Sequence, residues 1–155
     1  MKELIQKAMR KDADSFSQLI ENMTEQLYKT AQAILFSEED VADAVQESIL
    51  CAWEKIGQLR NPDSFKSWII RILINKCNDQ LRKREILFEN GEFPEQAVSE
   101  PGYERGEWAE MLAKLEEHYR LVLVLYYVED LSTSEIAKLT DLTESAVRPR
   151  LQRGR

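Results

Sequence analysis

The sequence predicts an all-α fold: two small helical domains joined by a flexible acidic linker, the second built around two short capped helices. Three observations carry this. Apolar residues recur at three- and four-residue steps over most of the 155 residues. That spacing fails once, over Ile86–Gly106, which holds three of the five glycines, two of the four prolines and five glutamates. Near the end of the chain two short helical segments follow one another, each introduced by its own start signals. With 43% hydrophobic and 32% charged residues, the chain has the composition of a folded rather than a disordered one.

In chain order, Phe16, Leu19, Ile20, Met23, Leu27, Ala31 and Ile34 form one helical stripe, as a single long helix or two short ones. Ser37 is placed to cap the next helix. Glu38, Glu39 and Asp40 fill its first turn, where carboxylates favour the positive end of the helix dipole. Its inner face is Val41, Val45, Ile49, Ala52 and Ile56, and Gly57 is placed to end it. Asp40, Asp43, Glu47 and Glu54 fall on another face. Asn61-Pro62-Asp63 reads as a third helix start: cap, proline at the first helical position, acid at the second. Phe65, Trp68, Ile69, Ile72 and Cys77 give that helix its inner side. Arg71, Asn75, Asn78, Asp79 and Arg82 share another, within reach of one ligand.

After the linker, Trp108, Met111, Leu112 and Leu115 restart a helical stripe, and Tyr119, Val122, Leu123, Tyr126 and Tyr127 continue it. Ser132 and Glu135 then form a capping box, flanked by Leu131 and Ile136 at staple positions. Thr143 repeats part of the device with Leu142 and Val147. Between the two lies Thr140-Asp141, where aspartate can take the left-handed backbone of a tight turn. Pro149 stands about six residues into the last helix, so that helix either kinks there or is shorter than its pattern.

Charge is segregated along the chain. The net charge is −7. Glu21–Glu47 has seven acids and one base, Arg60–Arg84 seven bases and two acids, Glu85–Glu117 ten acids and two bases, and Glu144–Arg155 four bases and one acid. Such alternation suits separate surfaces for separate partners, although any one block also suits a plain solvated helix face. The longest apolar run, Leu121–Val128, is too short to span a bilayer, and Met1–Arg10 shows no secretory signal. With one histidine, His118, and two isolated cysteines, Cys51 and Cys77, the chain lacks metal-ligand spacing, and the expected cofactor is none. The thiols read as free in a reducing cytosol; whether they lie close together depends on the fold.

Two short helices and a tight turn, the second helix basic, make a helix-turn-helix. In that motif the second helix enters the DNA major groove with its N-terminal residues at base edges: here Thr143, Glu144, Ser145, Ala146 and Arg148. Arg148 can read guanine and Glu144 can accept from cytosine. Arg150, Arg153 and Arg155 suit phosphates, which position without specifying. A helical hairpin with solvated arginines gives the same pattern.

Taken together and in order, EDVADAVQESILCAWEKI, FKSWIIRILINKCNDQLRKR and LSTSEIAKLTDLTESAVRPRLQRGR resemble an extracytoplasmic-function sigma factor. These are the compact two-domain members of the sigma-70 family of bacterial transcription initiation factors. The likeness runs from Ser15 to Arg155. It implies a region 2 like domain over 1–84, a linker over 85–106, and a region 4 like helix-turn-helix domain over 107–155. Asp40, Asp43, Gln46, Glu47 and Trp53 match the family's core-polymerase-binding helix. Phe65 and Trp68 match its "F..W" and Asn75 and Asp79 its "N…D", in the segment that grips and melts the promoter −10 element. Arg60, Asn61, Lys66, Arg71 and Arg82 complete the −10 candidates.

The chemistry is coherent with that likeness. Melting extrudes bases, which need a polar edge reader such as Asn75 and a positive groove for the strand. Phe65 and Trp68 also fit the buried stripe, and Asp79 is placed to pair with Arg82 or Lys83. The third segment matches the −35-reading domain, with Thr143, Glu144, Ser145, Ala146, Arg148, Arg150 and Arg153 as its DNA candidates. Asp141 stands where that family usually has a small residue, and Pro149 where serine or threonine is typical.

The resemblance implies core RNA polymerase and promoter DNA as partners, and an anti-sigma factor as regulator. It also implies a cytoplasmic location with no membrane insertion and no catalytic residue, the polymerase supplying the chemistry. A self-standing helix-turn-helix regulator with a helical sensing domain is the alternative; it shares the C-terminal motif but has no need of the Asp43–Gln46–Glu47 face.

Overall fold

The structure, a computed structural model, describes residues 1–91 and 107–153. Residues 92–106, most of the linker predicted over 85–106, and residues 154–155 lie outside the described residues, as do the side chains of Ala109, Glu117, His118 and Arg153. The described residues form eight α-helices: α1 (Lys2–Met9), α2 (Ala13–Gln32), α3 (Glu38–Lys55), α4 (Phe65–Glu89), α5 (Glu107–Ala113), α6 (Glu117–Tyr127), α7 (Thr133–Thr140) and α8 (Glu144–Arg153).

The apolar stripe from Phe16 is one helix, α2, capped by Asp12, whose carboxylate accepts from the Ser15 amide and hydroxyl. Before it lies α1, which the sequence reading left out; it buries Ile5 and Ala8. Lys11, at φ 69°, turns the chain between them. Its ammonium reaches the Trp53 carbonyl and lies over the Trp53 ring, 4.6 Å from the centroid. Ser37 caps α3 through the Asp40 amide, as its position predicts. Gly57 does not end that helix by a left-handed step. The α-helix stops at Lys55 and tightens into a 3-10 turn over Ile56–Gln58, anchored by the fully buried Ile56. Asn61 caps a second 3-10 turn, Pro62–Ser64, which leads into α4.

The helix α4 runs on to Glu89, five residues past the expected boundary at Arg84. Glu85, Ile86, Leu87, Phe88 and Glu89 are adequate helix formers, and the first glycine comes only at Gly91, so the helix outlasts the expected boundary. The helix stops at Asn90, and Gly91 takes φ +73° just beyond it.

In the second domain the capping box is complete: Ser132 Oγ accepts from the Glu135 amide and Glu135 Oε2 accepts from the Ser132 amide. Asp141 takes the expected left-handed conformation, φ 57°. Leu131, Ile136 and Val147 are buried and Leu142 half-buried. Since the cap orders a helix of only eight residues, Ser132→Ala is expected to cost about 1 kcal/mol, read as a lower midpoint in urea with an unchanged slope. The helix α8 continues through Pro149 to Arg153, so it is not shortened there. Proline leaves the Ser145 carbonyl without its usual donor, and Ser145 is exposed, where water can serve instead.

The two domains pack on each other, through α2 against α5 and α6 and through α4 against α7. Buried side chains of both belong to one continuous cluster, from Leu19, Leu27 and Ile69 to Leu125 and Ile136. Polar contacts cross the same boundary. Trp108 Nε1 donates to the Lys29 carbonyl (3.4 Å), Arg71 Nη2 to the Lys138 carbonyl (3.3 Å), and the Thr30 hydroxyl to Glu129 Oε1 (2.7 Å). The cysteines are free, and burial pushes the Cys77 thiol up to about 12, which keeps it neutral and unreactive.

Candidate polymerase and promoter interfaces

Helix α3 turns Val41, Ala44, Val45, Ser48 and Ala52 inward. Opposite them Asp43, Glu47, Leu50 and Glu54, at steps of four, three and four residues, form a stripe. Asp43, Gln46, Leu50 and Glu54 are exposed and Glu47 half-buried. Leu50, 64% exposed, is the residue the sequence reading missed. The signal was present: in a helix whose apolar residues otherwise share one face, Leu50 falls among the acids.

Asp40 and Trp53 point elsewhere. Asp40 is ion-paired with Arg84 and so ties α3 to α4. Trp53 is half-buried between Phe16, centroids 5.1 Å apart, and the Lys11 ammonium.

Helix α4 exposes Arg71, Asn75, Asn78 and Arg82 along one side. Asp79, half-buried, accepts from Arg82 Nη2 at 2.9 Å, the local pair its spacing allowed. Phe65 is 1% exposed and belongs to the core, whereas Trp68 is half-buried and lines a cleft. That cleft, about 430 Å³, is walled by Asn61, Ser64, Ser67, Trp68 and Arg71 from the first domain, and by Glu135, Lys138 and Leu139 from the second. Arg60 and Asn61 are exposed in the loop that leads into it. Lys66 does not join the Arg71–Arg82 side. It is half-buried, and its charge acts on Glu129 of the second domain.

At α8, Thr143 Oγ1 accepts from the Ala146 amide (3.2 Å) and lies 3.0 Å from the Ser145 hydroxyl. Glu144 Oε1 accepts from the Thr133 hydroxyl (3.2 Å), which fastens α8 to α7. Thr143, Glu144, Ser145 and Arg148 are exposed and Ala146 half-buried. Arg150 folds back on its own helix: Nη1 donates to the Ala146 carbonyl (2.9 Å), and Nε is buried without a partner. The Arg153 side chain lies outside those described. Thus, of the two arginines of α8 whose side chains are described, Arg148 is the better presented to an external ligand.

Among the described residues there is no group of three or more histidine, cysteine, aspartate or glutamate residues able to hold a metal, and no helix long and apolar enough to cross a membrane.

Comparison with known proteins agrees with this layout. A model of sigma-70 region 2 matches residues 19–85, and one of sigma-70 region 4 matches residues 105–155. RNA polymerase sigma factor SigV of Bacillus subtilis is 33% identical over 130 residues, covering 81% of this chain and 78% of SigV. The ECF RNA polymerase sigma factor SigW of the same organism is 25% identical over 174 residues, covering 100% of this chain and 92% of SigW. The structure of CnrH from Cupriavidus metallidurans, in complex with the cytosolic domain of CnrY, superposes with a TM-score of 0.70 at 28% identity. It covers 99% of this chain and 90% of that one. The two family matches, in this order along one chain, together with these relatives, show that the chain belongs to the sigma-70 family of RNA polymerase initiation factors, in its extracytoplasmic-function group.

Proposed function

We propose that three surfaces of this sigma factor divide the work of initiation. The Asp43–Gln46–Glu47–Leu50–Glu54 stripe of α3 docks core RNA polymerase, with Leu50 as an apolar anchor inside a ring of charge. Asp40 and Trp53 support that surface from behind, through Arg84 and through Phe16 and Lys11. The exposed side of α4, Arg71, Asn75, Asn78 and Arg82, with Arg60 and Asn61 beside it, holds the melted −10 strand. Asn75 reads a base edge and the arginines hold phosphates. Lys66 and Asp79 serve it indirectly, Asp79 by orienting Arg82.

In α8, Arg148 and Glu144 read the −35 element from the major groove, with Thr143, Ser145 and Ala146 at the same helix end. Arg150 and Arg153 contribute positive charge. Residues 1–84, extended by the rest of α4 to Glu89, and residues 107–155 are the two working domains, and the acidic stretch between them is a linker. The factor works in the cytoplasm and supplies no catalytic group of its own. An anti-sigma protein holds it inactive; the capture of the relative CnrH with the cytosolic domain of another protein supports such a partner.

The observation that carries this reading is the exposure of an acidic stripe on α3 and a basic, amide-bearing stripe on α4, two helices packed directly together. The test is in vitro transcription with bacterial core polymerase and a promoter library. Native protein is expected to yield defined start sites. Asn75→Ala is expected to slow promoter opening about 10–100-fold, the loss of one directional amide contact of about 1–3 kcal/mol, with core affinity unchanged. Normal opening by Asn75→Ala would remove Asn75 from the reading; sequence-specific duplex binding without polymerase would favour the self-standing regulator.

A further inference from the structure

Glu129 is the one charged residue among the described residues that is fully buried, at 0% exposure. It lies in the turn between α6 and α7, and its only side-chain hydrogen bond among the described residues is across the domain boundary, 2.7 Å from Oε1 to the hydroxyl of the equally buried Thr30 on α2. Its second oxygen, Oε2, is buried with no partner. An ionised carboxylate in such a place is costly; a neutral carboxylic acid much less so. This contact belongs to the packing that lays α7 on the first domain, where Glu135, Lys138 and Leu139 wall the cleft over Asn61, Trp68 and Arg71. Closed in this way, the chain has its own second domain where the −10 strand would lie.

We propose that the packing of the two domains is a proton-linked clasp. The neutral Glu129 carboxyl, seated on Thr30, holds α7 over the −10 groove, and its ionisation releases the second domain. Burial raises the Glu129 pKa above its ordinary value, while the Thr30 hydroxyl and the Lys66 charge pull it part of the way back. Of the charged groups on the elements packed here, Lys66 on α4 acts on Glu129 directly. Lys29, beside Thr30 on α2, is turned to Glu25 and the Trp108 ring, Arg71 to the Lys138 carbonyl, and neighbouring Asp130 is exposed.

In the open form Glu129 meets water and regains the ordinary value of a glutamate carboxyl. Closing therefore takes up a proton. Closure is strongest below that value and weakens as pH rises from it to the raised value of the closed form.

The test is small-angle scattering on the full chain from about pH 4.5, near an ordinary glutamate, up to about pH 8.5. Native protein is expected to expand as pH rises. Glu129→Gln, a permanent mimic of the neutral acid, is expected to stay compact throughout. Thr30→Val, which strips the carboxyl of its one donor, is expected to be expanded already at the acid end. A Glu129→Gln protein that keeps the native pH response overturns the clasp. So does a native radius that does not move with pH. Should Glu129→Gln fail to fold, Thr30→Val decides: a radius equal to native at every pH overturns the proposal.

The functional arm rests on the −10 assignments above. Binding of single-stranded −10 DNA by native protein is expected to rise with pH relative to Glu129→Gln. If scattering follows the prediction and DNA binding does not, those assignments fail and the clasp stands.

Discussion

Reversing Asp43 and Glu47 together to lysine is expected to weaken core polymerase binding by about 100-fold or more, with no change in helix content or melting temperature. Asp43 is exposed and Glu47 half-buried, and neither makes a side-chain hydrogen bond or ion pair among the described residues, so the fold does not depend on them. Exposed substitutions of this kind usually move stability by no more than about 0.5 kcal/mol. If the stripe docks as proposed, against a basic surface at close range, each charge pair is worth about 1.5 kcal/mol or more; two such losses make about 3 kcal/mol. Leu50→Ala should add a smaller loss, since an apolar anchor needs no charge partner to contribute.

Asp40→Lys is the informative contrast. Asp40 is tied to Arg84, so its reversal sets two cations together between α3 and α4 and should lower stability before it alters docking. Equilibrium binding to core polymerase alongside thermal melts separates the two outcomes. Native affinity in the Asp43–Glu47 double variant would move the docking surface off α3.

Local devices in this chain were legible because both halves of each lie within a few residues. The Ser132–Glu135 box, the Ser37 and Asn61 caps and the left-handed Asp141 all involve partners no more than about one helical turn away, and each formed as its sequence predicts. Helix faces were legible for a related reason: a repeat of 3.6 residues sorts side chains without reference to the rest of the molecule. Hence Asp43, Glu47 and Glu54 on α3, and the Arg71–Asn75–Arg82 side of α4, were placed together correctly.

What the sequence concealed depends on long-range packing. Thr30 and Glu129 are 99 residues apart, and no periodicity links a threonine in one domain to a glutamate in another. Asp40 shares a helix with the polymerase candidates, yet its direction was decided by Arg84, 44 residues on. Trp53 was drawn aside by Phe16 and Lys11. The helix α1 escaped notice because its core contribution is only Ile5 and Ala8, too few apolar positions to define a stripe. The end of α4 was set too early because the glycines and prolines that mark the linker begin only at Gly91, while Glu85–Glu89 before them are good helix formers.

Phe65 and Trp68 stand three residues apart on α4 with ring centroids 5.9 Å from each other, and from sequence either could pack in the core or stack on a base. The structure divides them. Phe65 is 1% exposed, among the largest fully buried side chains. Phe65→Ala is therefore expected to cost about 3–5 kcal/mol, the transfer energy of the ring plus the cavity it leaves. A domain of this size holds only about 5–15 kcal/mol in all, so the variant should be partly unfolded at physiological temperature and should lose polymerase and promoter binding together.

Trp68 lines the cleft and keeps part of its ring in solvent. Trp68→Ala should cost well under half as much stability, and its main effect should fall on promoter opening, because stacking of one extruded base on an aromatic ring is worth about 1–3 kcal/mol. Urea unfolding and open-complex formation, measured on both variants, give the decisive comparison. The two positions must respond in opposite proportion, stability for Phe65 and opening for Trp68. Equal loss of stability in both would mean that Trp68 too is a core residue, and that the −10 groove relies on polar groups alone.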